Sequence, residues 1–560
     1  MSKIYSKEIS FSTLKKNFDD CIYAIPQLQR NYVWDKNRVC LLLDSIFNHY
    51  PIGVSLIWKA KNNMIAEIKP NNRSILPSFN VYRRDINFII DGQQRLTSLY
   101  GLIAGISEAI DFNSNIDFRK IYFSVNRQDE SRFYYIRRYA VTRGDYIPVH
   151  DIIKDSPLRL KQRFNLNNQK LSDVRKLKSR IQSYRFHFIY LETNLIDEVR
   201  ETFVRINSQG MTVGKADALF ARTTNIGLRD LIDYTRRALI ARQYNEMKPE
   251  SFIYTLSLSK GEKEVGKRAL DNFEKKFKKQ KQFKSKFQKE WKKYHKAFLL
   301  AVDYLAEEFE ISRYSLLPSD NIFTILSLFF YLNNGRPSAH QKKEIKKWFW
   351  HTTIGERYSG SGFNRNIPKD IELFHKLVSR ANHKYIIDEK INPNEFLKKD
   401  YRKTNFSAVI AYYLFLKTLK PKYLETGELM MLEYALSKSN KNDRHHIFPG
   451  ALLGRRKVKQ KLKNSIVNIC FLAANENQSV SDDPPKDYLE PFKRKRFFKS
   501  VMRAHLIPTD RVSGIWESDV RQGFKTFINQ RAGLILKGIA KTAGVKRSQL
   551  FEKFDEIKRV

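Results

Sequence analysis

Two adjacent histidines near the C-terminal end, His445 and His446, are the residues of this sequence best suited to acid–base chemistry. They run into Ile447-Phe448-Pro449, which we predict to continue as a strand. Neighbouring side chains on a strand point to opposite faces, so one imidazole can bind a metal while the other meets a substrate. A histidine whose pKa lies near neutrality suits a general base that activates water.

Amide side chains and a lysine follow the histidine pair. Asn468, Asn475, Asn477 and Lys486 come next along the chain. Hydrolysis of a phosphodiester needs an activated water, a cation on the phosphate oxygens and rigid positioning of both. Imidazole and amide oxygen together suit Mg²⁺ or Mn²⁺. Two adjacent histidines by themselves are more often surface residues, or buried residues with ordinary hydrogen-bond partners, than a catalytic pair. The residues around the pair are therefore needed to predict a catalytic role.

The charge balance points to a polyanionic partner. The chain has 102 Lys+Arg against 59 Asp+Glu, a formal net charge of +43, and nucleic acid is the simplest partner for such a charge. An anionic membrane surface could use the same charge, but no segment shows the wide Trp/Leu face of an interfacial anchor. We therefore expect DNA as the partner and no membrane association.

Cysteine usage and the apolar runs indicate the compartment. Cys21, Cys40 and Cys470 are scattered and form no CxxC, which argues against a disulfide scaffold and a zinc ribbon. The N-terminal residues lack the apolar core of a signal peptide. The longest apolar run, Phe323 to Leu332, is half a bilayer span and predicts a buried helix. We expect a cytoplasmic protein.

A second polar cluster lies where a predicted strand, Ile86 to Ile90, meets a predicted helix that begins near Gln93. Asp91 is a suitable N-cap for that helix. Arg95 lies in the first turn, where the helix dipole disfavours a cation. Free amides, two glutamines and this arginine would make a phosphate site. The alternative is a plain strand–turn–helix with Arg95 paired to a carboxylate, and spacing alone favours neither.

The elements that carry these clusters follow from hydrophobic periodicity. We predict a helix from Lys36 to Asn48 and a strand from Val54 to Trp58. A further helix runs from Leu195 to Asn207, residues 226–430 are helical, and an amphipathic helix from Val520 to Ile539 closes the chain. At 560 residues the chain is too long for one core, and about two to four domains are expected.

The histidine segment resembles the HNH (ββα-metal) nuclease motif. By that resemblance His446, in the His-Ile-x-Pro unit, is the general base and His445 is a metal ligand. Asn468 orients the loop or the base. Asn477 is the second metal ligand, with Asn475 as the competing choice. Lys486 stands near the final His or Lys of many members.

Four segments follow one another in the N-terminal part of the chain: Gln29–Trp34, Asp44–Gly53, Ile90–Thr97 and Phe203–Gly210. Together they resemble the N-terminal domain of GmrSD-type, modification-dependent (type IV) restriction enzymes, a ParB/sulfiredoxin-like nucleotide-hydrolysing fold. The resemblance implies a phage-defence nuclease that hydrolyses GTP or ATP and senses modified DNA, with phosphorothioate as a self mark in some relatives. The nucleotide-binding residues it implies are Arg30, Asp91, Gly92, Gln93, Gln94, Arg95 and Asn207.

We therefore predict an α+β multidomain protein. Residues 1–225 form the ParB/sulfiredoxin-like NTPase and sensor domain, 226–430 a helical connector, and 431–560 the HNH domain with a terminal helix. The predicted activity is Mg²⁺- or Mn²⁺-dependent cleavage of DNA, gated by NTP hydrolysis. The alternatives are a nucleotide-dependent DNA-binding regulator that does not cut, and cleavage of RNA. Whether the chain forms a homo-oligomer stays open.

Overall fold

The structure divides into two compact units, Met1–Asp230 and Leu231–Val560. The computed structural model describes residues 3–26, 29, 32–61, 75–76, 85–107, 116–126, 129, 131–136, 145–209, 216, 219–220, 223, 226–263, 265, 272, 283–360, 362–380, 382–403, 406–430, 432, 444–473, 476 and 482–557. The division into three domains stays a prediction.

The first unit is built on a mixed five-stranded sheet with the order β1-β8-β3-β4-β2. β1 pairs antiparallel with β8 and β3 pairs antiparallel with β4, whereas the β3–β8 and β2–β4 pairs are parallel. A second, antiparallel sheet has the order β6-β5-β7. The strands are β1 Lys3–Ser10, β2 Tyr23–Ala24, β3 Ser55–Lys61, β4 Asp85–Asp91, β5 Ile121–Ser124, β6 Phe133–Tyr135, β7 Tyr146–Pro148 and β8 Arg185–Glu192.

Seven helices accompany these sheets among the described residues. Asp35 caps α2 by accepting a hydrogen bond from the Arg38 backbone amide, and the buried face of α2 is the one that periodicity predicts. The helices are α1 Phe11–Asp19, α2 Lys36–Phe47, α3 Gln93–Ala104, α4 Val149–Lys154, α5 Pro157–Phe164, α6 Asn168–Ser183 and α7 Ile196–Gln209.

Alternation along the central strands gives the first unit a core on each face of its sheet. Ile57 and Ile89 belong to the larger core, which includes residues of α1–α3 and α6 and of the three-stranded sheet. Their neighbours Trp58 and Phe88 belong to the smaller core beneath α7. Both tryptophan and phenylalanine are fully buried and their rings stack at 5.3 Å. Tyr32 belongs to the larger core as well, and the partly buried Trp34 packs against it.

The second unit is helical apart from one two-stranded sheet, β9 Arg444–His446 and β10 Ile469–Phe471. The first helix, Leu228–Ala238, contains the division between the units. The helices are α8 Leu228–Ala238, α9 Pro249–Ser259, α10 Phe283–Phe309, α11 Asp320–Asn333, α12 Ala339–Ile354, α13 Gly362–Ser379, α14 Pro393–Leu397, α15 Ser407–Thr418, α16 Gly450–Arg455, α17 Gln460–Lys463, α18 Pro485–Leu489, α19 Phe498–Ala504, α20 Val520–Ala543 and α21 Arg547–Leu550.

Helix α11 contains the apolar run Phe323 to Leu332, and the run's central residues are buried, as predicted. None of the helices that the structure describes combines the length and the apolar content needed to cross a bilayer. The chain thus combines long helices with small sheets, in agreement with the expected mixture of α and β structure. The ParB-like and HNH assignments stay predictions.

Candidate functional site

The histidine pair lies on β9, which pairs antiparallel with β10. His446 faces Ile469 in the register and His445 faces Cys470. The two imidazoles occupy different surroundings, as strand alternation requires. His445 is buried beside the Tyr488 ring, and His446 is partly exposed beside the Tyr401 ring.

The strand ends at His446, so the prediction that Ile447-Phe448-Pro449 continues it is wrong. Asn468 explains the end, because its side chain takes the place of a strand partner. Its amide oxygen accepts from the Phe448 backbone N–H at 2.9 Å, and its amide nitrogen donates to the Phe448 carbonyl at 3.0 Å. Pro449 has no N–H to extend a ladder. The fully buried Asn468 therefore fixes the turn that follows the histidines.

Asn464 is the residue that contacts the predicted base. Its Oδ1 lies 3.2 Å from Nε2 of His446, and its side chain is buried, with 6% exposed. An amide oxygen only accepts, so the neutral imidazole carries its proton on Nε2 and Nδ1 becomes the basic nitrogen. Sequence reasoning missed Asn464, since neither its spacing nor its type separates it from other loop asparagines.

Burial lowers the pKa of His446 below its ordinary value. The hydrogen bond to Asn464 acts in the opposite direction, and the positive charges of Arg402 and Lys463 lower this pKa further. Arg402 is paired with Asp400 through two hydrogen bonds of 3.0 and 2.6 Å. His446 is therefore neutral near pH 7 and able to accept a proton.

The expected metal ligands are only partly described. His445 is present as a buried imidazole, whereas Asn475 and Asn477 lie outside the described residues. Glu476, which stands between them, accepts hydrogen bonds from the backbone amides of Glu425 and Ala473 at 2.8 and 3.3 Å. Within the described part of the chain, no three His, Cys, Asp or Glu side chains are grouped closely enough to hold a metal ion. An imidazole nitrogen such as that of His445 can bind a divalent ion, and amide oxygens would complete the donor set.

Lys486 lies on α18 and is half-buried. Its ammonium group donates to the Ser518 hydroxyl at 3.4 Å, a long contact. In contrast, Lys463 is the lysine whose charge acts on His446. Lys463 was not predicted, because the segment around it is uniformly basic and no single lysine stands out.

The second predicted cluster surrounds the turn between β4 and α3. The prediction that Asp91 caps this helix is wrong, because Asp91 is the last residue of β4 and Gly92 occupies the cap position in a left-handed conformation. The Asp91 carboxylate instead pairs with Arg95 at 3.3 Å. The guanidinium also donates to the backbone carbonyls of Ile52 and Val54. The carboxylate partner expected by the plainer interpretation is thus present.

Two glycines make room for the Arg95 guanidinium. Gly53 has φ +83°, and a Cβ there would lie 2.2 Å from a guanidinium nitrogen. Gly92 has φ +86°, and a Cβ there would lie 2.3 Å from the Ser55 hydroxyl oxygen. Both positions require a left-handed backbone and a missing side chain. The Gly53 and Gly92 turns and Arg95 therefore form one interlocked unit, which we call the arginine clamp.

The glutamines of this turn are structural neighbours of the clamp. Gln94 Oε1 accepts from the backbone amides of Val33 and Trp34 at 2.8 and 3.2 Å, which attaches the preceding extended segment to α3. Gln93 is buried. Arg30 lies outside the described residues. Asn207 falls within α7, but its side chain lies outside the description.

One of two comparisons with known proteins bears on the N-terminal resemblance. Residues 8–224 match the family model of the GmrSD restriction endonuclease N-terminal domain. An uncharacterized protein of Methanocaldococcus jannaschii is 22% identical, in an alignment that covers 92% of this chain and 95% of that protein. The family match covers the arginine clamp but ends well before the histidine pair. Residues 8–224 of this chain are thus similar to the N-terminal domain of GmrSD restriction endonucleases.

Proposed function

We propose that this protein is a DNA endonuclease of anti-phage defence that cuts through a metal-dependent HNH site. In this proposal the N-terminal unit hydrolyses GTP or ATP and senses modified DNA, with phosphorothioate among the candidate marks. The family match supports restriction-type activity, and DNA as the partner. The observation that carries the cutting site is the contact between His446 and Asn464 on a two-stranded sheet.

His446 acts as the general base. Its Nδ1 takes a proton from water as the water oxygen bonds to phosphorus and one P–O ester bond breaks, and the departing oxygen then gains a proton. Asn464 holds the imidazole in the tautomer that leaves Nδ1 basic. Asn468 fixes the turn after the strand and so restricts where the imidazole can move.

His445, Asn477 and the competing Asn475 would hold the Mg²⁺ or Mn²⁺. A divalent ion there would stabilise the negative charge that develops on the phosphate. Lys486, which donates to Ser518, contributes a cation on α18.

The nucleotide would bind at the turn between β4 and α3. Gly92 at the cap position has no side chain to accept from the first turn of α3, and the N-terminal end of a helix favours phosphate. Arg95, Asp91, Gly92, Gln93 and Gln94 would line this site. Arg30 and Asn207 would complete it.

The test is a plasmid cleavage assay in Mg²⁺, with and without GTP or ATP. Unmodified, hydroxymethyl- or glucosyl-cytosine and phosphorothioate plasmids are compared. We expect cutting that depends on the modification and falls by at least about 10²-fold in His446→Ala, the usual contribution of a general base. His49→Ala is the matched control, because His49 is an exposed histidine of the first unit.

The rival function is a nucleotide-dependent regulator that binds DNA without cutting, which the net charge of +43 would serve equally well. It predicts that Mg²⁺ changes DNA mobility but never DNA topology. Wild-type protein that binds every plasmid and cuts none would favour it over the nuclease. An RNA substrate in the same assay tests the third possibility, because a nuclease specific for RNA would cut it and leave every plasmid intact.

A further inference from the structure

The segment that links β9 to β10, residues 450–464, is anchored to the predicted base at both ends. At its start, a Cβ on Gly450 would lie 3.8 Å from the His446 ring. At its end, Asn464 contacts Nε2 of the same ring. We call these residues the linking segment. Anything bound along it is therefore held close to His446.

Apolar and charged residues of the linking segment lie on different sides. Leu452, Leu453, Val458 and Leu462 are buried. The cations between them are exposed: Arg455, Arg456, Lys457, Lys459 and Lys461. The linking segment, with its short helices α16 and α17, therefore has a buried apolar face and an exposed, positively charged face.

The charge of this surface is not balanced locally. The linking segment contains six Lys or Arg and no Asp or Glu, although the whole chain has 59 acidic residues against 102 basic ones. Arg455 pairs with Asp482 at 3.2 Å. The other four exposed cations make no ion pair with any carboxylate in the described part of the chain. Arg402, whose charge also acts on His446, is by contrast paired with Asp400.

We propose that the linking segment binds the phosphate backbone of duplex DNA and delivers a phosphodiester to His446. This inference rests on the proposed nuclease function. Arg456, Lys457, Lys459 and Lys461 contact successive phosphates, and Lys463 follows them directly before Asn464. Exposed cations with no fixed partner suit phosphate contacts, which carry affinity but no sequence information. A merely solvated surface has no reason to exclude carboxylates over the whole segment.

The experiment compares two variants of the full chain that lose the same charge. The test variant carries Arg456→Gln, Lys457→Gln, Lys459→Gln and Lys461→Gln. The control variant carries Lys525→Gln, Lys537→Gln, Lys541→Gln and Arg547→Gln, which are exposed residues of α20 and α21. Binding to a fluorescent DNA duplex is measured by anisotropy across a NaCl series in EDTA, so that no cutting enters the result.

We expect the test variant to bind at least about tenfold more weakly near physiological salt. Its plot of log K against log salt should be shallower by about 0.9 for each lost contact, roughly 3.6 for four contacts. The control variant should keep nearly the wild-type slope. Equal changes in both variants, or no change in either, would overturn the proposal. Tighter binding of a matched RNA duplex, lost only in the test variant, would replace DNA by RNA.

Cleavage is measured separately, so the two proposals can fail independently. If the wild-type protein never cuts but only the test variant changes the salt slope, the nuclease proposal fails and the proposed DNA-binding surface stands. If the wild-type protein cuts DNA but the test variant keeps the wild-type salt slope, the nuclease proposal stands and the proposed DNA-binding surface fails. Circular dichroism melts of both variants show whether the substitutions leave the fold intact.

Discussion

At the scale of single residues, the contact between Asn464 and His446 does most to define the candidate site. Histidine and its sequence surroundings predicted the base, since few residue types accept protons near neutrality. The partner could not be predicted, because it comes from a segment 18 positions further along the chain. Only the pairing of β9 with β10 brings the two together.

Replacing Asn464 by alanine should slow cleavage by about 10- to 100-fold, the usual cost of losing an orienting partner of a histidine. The lost acceptor frees the imidazole to rotate and to change tautomer. DNA binding in EDTA should stay unchanged. Single-turnover cleavage of a labelled duplex measures the chemical step.

Asn464→Asp is the informative companion variant, because a carboxylate oxygen can still accept from Nε2–H. It should recover much of the rate that alanine loses. If aspartate and alanine are equally slow while both proteins melt as wild type, Asn464 does not act through the imidazole.

At the scale of elements, the arginine clamp shows which features of the turn between β4 and α3 could be predicted from the sequence. The sequence predicted the strand, the helix start near Gln93 and an arginine that needs a partner, and the structure contains all three. The N-cap prediction for Asp91 failed because the carboxylate pairs with Arg95 and Gly92 turns the chain instead. The carbonyls of Ile52 and Val54 are distant in sequence, so no local rule identifies them as partners.

Gly53→Ala should loosen the clamp. A left-handed alanine costs about 1 kcal/mol, and displacing the guanidinium from its carbonyl partners adds about 1–3 kcal/mol. Hydrogen–deuterium exchange of the amides of β3 and the start of α3 should become faster by the corresponding factor.

Gly261→Ala is the matched control, because Gly261 has φ +92° but nothing within 4 Å of the added Cβ. Gly261→Ala should show only the free-energy cost of placing alanine in a left-handed backbone conformation. Equal effects on exchange around the two glycines would mean that the close approach of Arg95 does not matter.

Two buried histidines of the second unit, His351 and His505, should make its stability depend on pH. Burial lowers the pKa of His351 to about 4, and burial likewise lowers the pKa of His505 to about 4. Both folded pKa values are below the ordinary unfolded value, so protonation favours unfolding. The stabilising neutral form is complete above about pH 6.5 and is lost as the pH falls toward 4.

Between pH 7 and pH 5 the free energy of unfolding should therefore fall by about 2 kcal/mol for each histidine. Urea unfolding, followed through the buried tryptophans of the second unit, measures this change. His351→Gln should remove about half of it. Stability that stays constant or rises over this interval would contradict the assignment.

At the scale of the whole molecule, the two candidate sites lie in different compact units, with the arginine clamp in the first and the histidine pair in the second. Composition predicted more than one domain and a polyanionic partner, because both follow from length and charge. The role of the helical residues 226–430 could not be predicted. This part of the sequence contains no polar motif whose residue types indicate a function.

Two variants test whether the activities separate. His446→Ala should abolish cutting and retain NTP hydrolysis, whereas Arg95→Ala should abolish NTP hydrolysis and retain nucleotide-independent nicking. Because Arg95 also holds the 52–54 turn, thermal melts must show that this variant is folded at the assay temperature. Parallel loss of both activities in a folded variant would show that the sites are not separable.

The buried Arg531 of α20 has a consequence for how the protein is made. Its guanidinium is fully buried and donates to the carbonyls of Val467, Ile469, His505 and Leu506. A residue 62 positions after Ile469 thus holds β10, the strand that pairs with the histidines. Synthesis proceeds from the N-terminus, so a growing chain already contains both histidines before the arginine that secures their partner strand has been added. A ribosome-bound or truncated chain that ends before Arg531 therefore lacks the residue that secures β10, and we expect the candidate site to be less firmly assembled in such a chain.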